Sequence, residues 1–264
     1  MLEFLFDLPL LITGPAIVGS LCLFALGGLL VVRRRVLPRL RIREGDSEFT
    51  GAMLQAVMVF YGLAVALIAV SVWQSYSDAS RLVSQEAAAI GALYRDVGLY
   101  PEPQRSELQK TATDYLDHLI HEAWPLQRQG KVPAVKAEIV GRLLRVLGTF
   151  EPDTEGQKLQ HAEALRALNA AIMATRLRVD AGRTALPGIL WVVIVAGAVI
   201  SLSAAFFFKV EDVRLHGILV TLLAVFIGLV IFMIFALDRP FRGDLGLGPE
   251  PHQLIYDQLM KPNP

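Results

Sequence analysis

The chain has 264 residues, 25 of them Lys or Arg and 25 Asp or Glu, so its formal charge is zero and nothing recommends nucleic acid as a partner. Hydrophobic residues make up 54% of it and its mean hydropathy is positive, which favours a membrane protein over a soluble enzyme. Its single cysteine, Cys22, excludes an intrachain disulfide.

The first apolar block runs over about 8–32 and is long enough as a helix to cross a hydrocarbon core of about 30 Å. Glu3 and Asp7 precede it and Arg33, Arg34 and Arg35 follow it, the reverse of a secretory signal's charge order, so it is expected to stay in the protein as a transmembrane helix. Arg39, Arg41 and Arg43 complete a short, arginine-rich loop before the next block. The positive-inside rule puts that loop in the cytoplasm. Such a loop can also attract anionic headgroups, but its topological meaning is sufficient here.

The second block, 51–73, is the second expected span. Gln55, Val59, Gly62, Ala66, Ala69 and Trp73 recur on one stripe of it, small residues with a polar one at the arginine-rich end. A stripe of that kind either packs closely against another helix or lines a narrow apolar pore that gates by wetting. Ionisable groups are nearly absent from the spans, which argues against a proton relay and leaves a passive pore open.

Residues 74–185 carry equal numbers of acidic and basic side chains and no strand pattern. Helices are expected at about 75–99, 102–128, 134–149 and 156–184, broken by Pro101 and Pro103, by Gly130 and Pro133, and by EPDTEG at 151–156. The first and last are expected to run on into spans two and three as a bundle outside the membrane. Leu108, Ala112, Tyr115, Leu119 and Ala123 form one buried stripe, and Leu165, Leu168, Ile172, Thr175 and Val179 another. Asp114, His118 and His121 share a helix face and are weak candidates for a metal, since a third or fourth convergent ligand does not show. No Gly-x-Ser-x-Gly elbow appears, and GLGLGP near the C-terminus neither follows a strand nor opens a helix. No enzyme activity, metal or cofactor is expected.

The third and fourth spans are expected at 186–208 and 216–237. Gly197, Ala198, Ser201 and Ser203 give the third a small, weakly polar face, while Trp73 and Trp191 suit the outer interface. The short loop between these spans is too balanced, with Lys209 and Arg214 against Glu211 and Asp212, to orient anything. Beyond the fourth span comes LDRPFRG: Asp238 and Arg239 mark the end of the lipid, Pro240 stops the helix, Gly243 permits a turn back, and Phe241 can anchor on the bundle. A salt bridge from Asp238 or Arg239 to Glu86 or Arg95 is the expected tie.

Taken together, Trp73 with Tyr76 and Ala79, Glu86-Ala87 with Leu93-Tyr94-Arg95, the Tyr115 to Glu122-Ala123-Trp124 segment, Leu186-Pro187 with Trp191, and Leu237-Asp238-Arg239-Pro240-Phe241 with Gly243 resemble the bestrophin-like family. The resemblance covers about 51–247. It implies kinship with bestrophins, pentameric anion channels with four membrane helices per subunit and a long helical region between the second and third. Bestrophins keep that region in the cytoplasm, whereas the arginine loop here places it outside, and no bestrophin pore or calcium residue has a matching motif.

The fold expected is therefore an all-α integral membrane protein with four transmembrane helices and a long helical extramembrane bundle between spans two and three. Its segments are 1–50, first span and arginine loop; 51–73, second span; 74–185, bundle; 186–237, third and fourth spans; and 238–264, tail. The function expected is an oligomeric ion channel, anion-permeable, with Gln55, Val59, Gly62, Ala66 and Ala69 lining the pore. Its partners are membrane lipid, further copies of the chain and a permeant inorganic ion. The alternative is a membrane scaffold or sensor acting through the bundle. Glu86, Arg95, Trp191, Asp238, Arg239, Pro240, Phe241 and Gly243 are expected to be structural anchors.

Overall fold

A computed structural model describes residues 9–39, 44–131, 137–208 and 212–260. Expectations resting on Glu3, Asp7, Arg41, Arg43, Pro133, Lys209 and Glu211 lie outside the described residues. Among those described, all regular structure is helical and no strand occurs.

Among the described residues, four helices are long and apolar enough to cross a membrane. They are α1 (Leu10–Val31), the first part of α2 (Glu44–Val97), α7 (Gly188–Ala205) and α8 (Val213–Leu237). With 54 residues, α2 is about 80 Å long, far more than a hydrocarbon core needs. Asp78, Arg81 and Glu86 follow Trp73 along it, so the apolar stretch 51–73 is the part suited to lipid and the charged part after it is suited to water. Between α2 and α7 come α3 (Gln104–His118), a π turn over Leu119–Ala123, α4 (Trp124–Arg128), α5 (Ala137–Thr149) and α6 (Glu155–Ala181). After α8 the chain forms a short α9 (Glu250–Ile255) and a second π turn, Tyr256–Met260.

The breaks have local causes. Thr154 caps α6, accepting from the Gln157 backbone N–H at 3.2 Å while the Gln157 side chain returns a bond to the cap, a reciprocal capping box inside the expected EPDTEG turn. Gly130 ends α4 with φ of +73°, a left-handed conformation that favours glycine. The run from span two into the bundle is continuous, as expected. The run from the bundle into span three is not: α6 stops at Ala181, and α7 starts only after Pro187. Proline biases the residue before it away from helix and offers no N–H of its own, so the chain turns here. The Leu186 N–H left by that turn donates to Asp238 Oδ1 at 2.6 Å.

Two compact units result, Met1–Gln74 with Ala185–Asp238, and Ser75–Thr184 with Arg239–Pro264. In the first, α1, α7, α8 and the apolar part of α2 share a core that includes Ala25, Val65, Ile194, Leu202, Ala224 and Ile231. Close approach is achieved by glycines: a Cβ on Gly197 would lie 2.4 Å from the Tyr61 ring, and one on Gly28 would lie 2.3 Å from Phe206. The Tyr61 hydroxyl then donates to the Ile194 carbonyl at 3.1 Å.

In the second unit, the stripe Leu108, Ala112, Tyr115, Leu119 and Ala123 is buried as expected. The buried face of α6 lies to one side of the expected one. It is centred on Ala164, Leu168, Ala171, Thr175 and Arg178, with Leu165, Ile172 and Val179 at its margin. Alanine leads this face because small side chains let α6 approach its neighbours closely, and its last member is a charged one.

Candidate functional site

Residues of the expected pore stripe do not share in the core of the first unit equally. Leu54, Val65 and Val72 bury one face of α2, and Ala69 packs at its edge. Gln55, Val59, Gly62 and Ala66 are exposed on the single chain, and a Cβ added to Gly62 would meet nothing within 4 Å. The small residues of α2 are therefore not what brings the helices of one chain together; Gly28 and Gly197 do that. Trp73 is exposed as well, while Trp191 is half-buried with its ring edge-on to Phe235 at 6.3 Å.

The LDRPFRG segment turns as its residues demand. Gly243 has φ of +73°, and the Leu247 N–H donates to the Pro240 carbonyl at 2.7 Å, closing the turn. Phe241 is buried against Trp124, the rings 6.0 Å apart and edge-on. The indole N–H of Trp124 in turn donates to the Leu247 carbonyl at 2.9 Å, so one buried tryptophan holds both ends of the turn. Pro240 is buried and Arg239 half-buried, whereas Arg95 is exposed.

Glu86 has partners other than those the sequence suggested. It is fully buried, and its Oε2 accepts from Arg178 Nε at 2.5 Å and from His252 Nε2 at 3.0 Å. Arg178 Nη1 also donates to the Gln127 side-chain carbonyl, and its guanidinium lies over the Trp124 ring, 4.8 Å from the centroid. Elements α2, α4, α6 and α9 thus meet at one charged centre. Burial works against the charge on Glu86, but the His252 hydrogen bond and the Arg178 cation outweigh it and hold the carboxyl below its ordinary range. Beside this centre, the Tyr115 hydroxyl donates to Thr175 Oγ1 at 2.8 Å, and Thr175 donates to the Ala171 carbonyl at 2.9 Å. Burial, with the Glu86 charge adding, pushes the Tyr115 phenol up to about 12 and keeps it protonated. Glu86, Arg178 and His252 are 0%, 1% and 0% exposed, and the centre they form is suited to fixing helices and tail.

Two of these three residues had a signal in the sequence. Ala79, Val83, Glu86, Ile90, Leu93 and Val97 follow alternating steps of four and three, and so do Ala164, Leu168, Ala171, Thr175 and Arg178. A carboxylate within one apolar stripe and a guanidinium within another are complementary charges with nowhere else to go. His252 has no such pattern around it.

The histidines of α3 and its π turn take separate paths. His121 is exposed, with Nδ1 3.1 Å from Asp117 Oδ1, and half-buried His118 lies 3.1 Å from Glu122 Oε2. Asp114 is exposed. Among the described residues no three His, Cys, Asp or Glu side chains come together as a metal site.

The second unit also holds a cavity of about 300 Å³ between α2, α3, α5 and α6. Its walls are mainly aliphatic, with the Tyr115 and Thr175 hydroxyls on one side and Arg176 on another.

A family model for the Bestrophin-like domain matches residues 19–252. The chain belongs to the bestrophin-like family. This bestrophin-like chain is a helical, multi-pass membrane protein, and the matched segment takes in Glu86, Arg178, His252 and the LDRPFRG turn. It has no significant match among curated proteins or solved structures.

Proposed function

We propose that this protein is an oligomeric, anion-permeable channel of the cell membrane, whose pore is lined by α2 from copies of the chain arranged around it. The observation carrying this reading is the unpartnered face of α2, where Gln55, Val59, Gly62 and Ala66 are exposed while the opposite face is packed. Small and apolar side chains leave room for an ion path and gate it by wetting, without a titrating group. Ala69 is the least suited of the five candidates, since it lies at the edge of the packed face. Membership of the bestrophin-like family supports the same reading. The protein acts as a passive conduit and not as an enzyme. Lipid and further copies of the chain are its structural partners, and the arginine loop faces the cytoplasm with the bundle on the other side.

Ion flux through proteoliposomes tests this, with chloride and potassium gradients run separately beside Gly62→Asp. Chloride flux that the variant suppresses by about tenfold or more is the expected outcome, because a carboxylate in a narrow apolar pore repels anions. No flux from folded, oligomeric protein would leave the second reading, a scaffold or sensor working through the bundle. That reading draws on the cavity between α2, α3, α5 and α6.

A further inference from the structure

The cavity of the second unit is aliphatic along most of its wall. Ile90, Leu93, Val140, Leu143, Leu168 and Ile172 give it an aliphatic lining, and its volume of about 300 Å³ is at the lower end of what small-molecule pockets span. Its two inner hydroxyls are already satisfied: Tyr115 donates to Thr175, and Thr175 donates to Ala171. They ask nothing of an occupant, so the deep part suits a purely apolar body. Arg176 and Leu144 line the cavity from exposed positions, and among the described residues no acidic side chain lines it. A guanidinium at the accessible side of an aliphatic cavity favours an anion held at the entrance with its chain inside. Gly141 also lines the cavity, and a Cβ built there meets nothing within 4 Å, so this wall is left bare where any other residue would begin to fill it.

We propose that this cavity binds a single-chain amphiphile with an anionic head, of the size of a medium-chain carboxylate. The chain packs among Ile90, Leu93, Leu143, Leu168 and Ile172, and the carboxylate pairs with Arg176. The site belongs to the extramembrane unit and is independent of ion conduction. It is too small for a two-chain phospholipid, which separates its occupant from bulk lipid.

The test is photolabelling of the full-length protein in nanodiscs with decanoate carrying a chain diazirine, followed by peptide mapping. Labels are expected in 90–93, 140–144 and 168–176, displaced by unlabelled decanoate. Gly141→Leu, which α5 tolerates because leucine prefers helix over glycine, should cut labelling there by about tenfold with the fold intact. Ile172→Phe fills the same space from α6 and serves if the first variant fails to fold. Arg176→Gln should weaken competition by decanoate about tenfold and leave competition by decanol unchanged. Labelling confined to the membrane spans, or undiminished in a folded cavity-filled variant, overturns the site. Decanol competing as well as decanoate, with Arg176→Gln silent, overturns the anionic head. Cavity labelling from a phospholipid bearing the same diazirine chain, and none from the free carboxylate, overturns the single-chain occupant.

Discussion

Glu86 is the carboxylate at the buried charged centre of the second unit. Its carboxylate lies out of water, and Arg178 and His252 together make that tolerable. Glu86→Gln removes the negative charge and leaves Arg178 buried without its counterion, so it should cost about 3–5 kcal/mol, read as a drop in unfolding midpoint. Arg178→Met with Glu86→Gln should cost less than the two single changes added, because the double variant no longer buries an unpaired charge. An additive result would show that the pair is not coupled. The pH dependence has a defined sign. The folded carboxyl titrates below its ordinary value of 4.5, so its contribution is complete above that value and is lost as pH falls through the lower, folded one. Between about pH 5 and pH 2, the wild type should lose stability more steeply than Glu86→Gln. Parallel pH profiles for the two proteins would contradict the assignment.

At the scale of the elements, glycines sort the membrane helices into faces that pack within a chain and faces that do not. Gly197→Val drives a side chain into the Tyr61 ring and should cost about 1–3 kcal/mol while weakening the bond from Tyr61 to Ile194. Gly62→Ala meets nothing in the single chain, so its effect on the unfolding of one chain should be about 0.5 kcal/mol or less. A large loss from Gly62→Ala, seen only in the assembled protein, would place that face between subunits and not along a pore. The four spans were legible because a run of about twenty uncharged residues has few other uses, and α2 was legible as one long helix because no proline or glycine cluster interrupts it. The break between α6 and α7 is signalled by Pro187, which cannot continue a helix from the residue before it. The LDRPFRG turn could be read from Pro240 and Gly243, but the role of Trp124 in holding it could not, since an indole in a helix stripe looks like any other core residue. Glu86 and Arg178 could have been paired from their positions in apolar stripes, whereas His252 arrives from a tail with no periodicity and only the fold brings it to them.

For the whole molecule, the charge distribution predicts which side of the membrane residues 74–185 occupy. Arginines before span two, Arg33, Arg34, Arg35 and Arg39 among them, favour a cytoplasmic loop and hence a bundle on the opposite side. The charge argument acts on this chain's own insertion, and residues 74–185 are as acidic as they are basic and exert no retaining force. Single cysteines decide the matter once Cys22 is replaced by Ser. Pro38→Cys lies at an exposed position in the arginine loop and keeps every arginine, and Glu151→Cys lies at an exposed position between α5 and α6. In intact cells a membrane-impermeant maleimide should label position 151 and not position 38, and permeabilised cells should show both. Labelling of position 38 alone in intact cells would invert the orientation and place the bundle and its cavity in the cytoplasm.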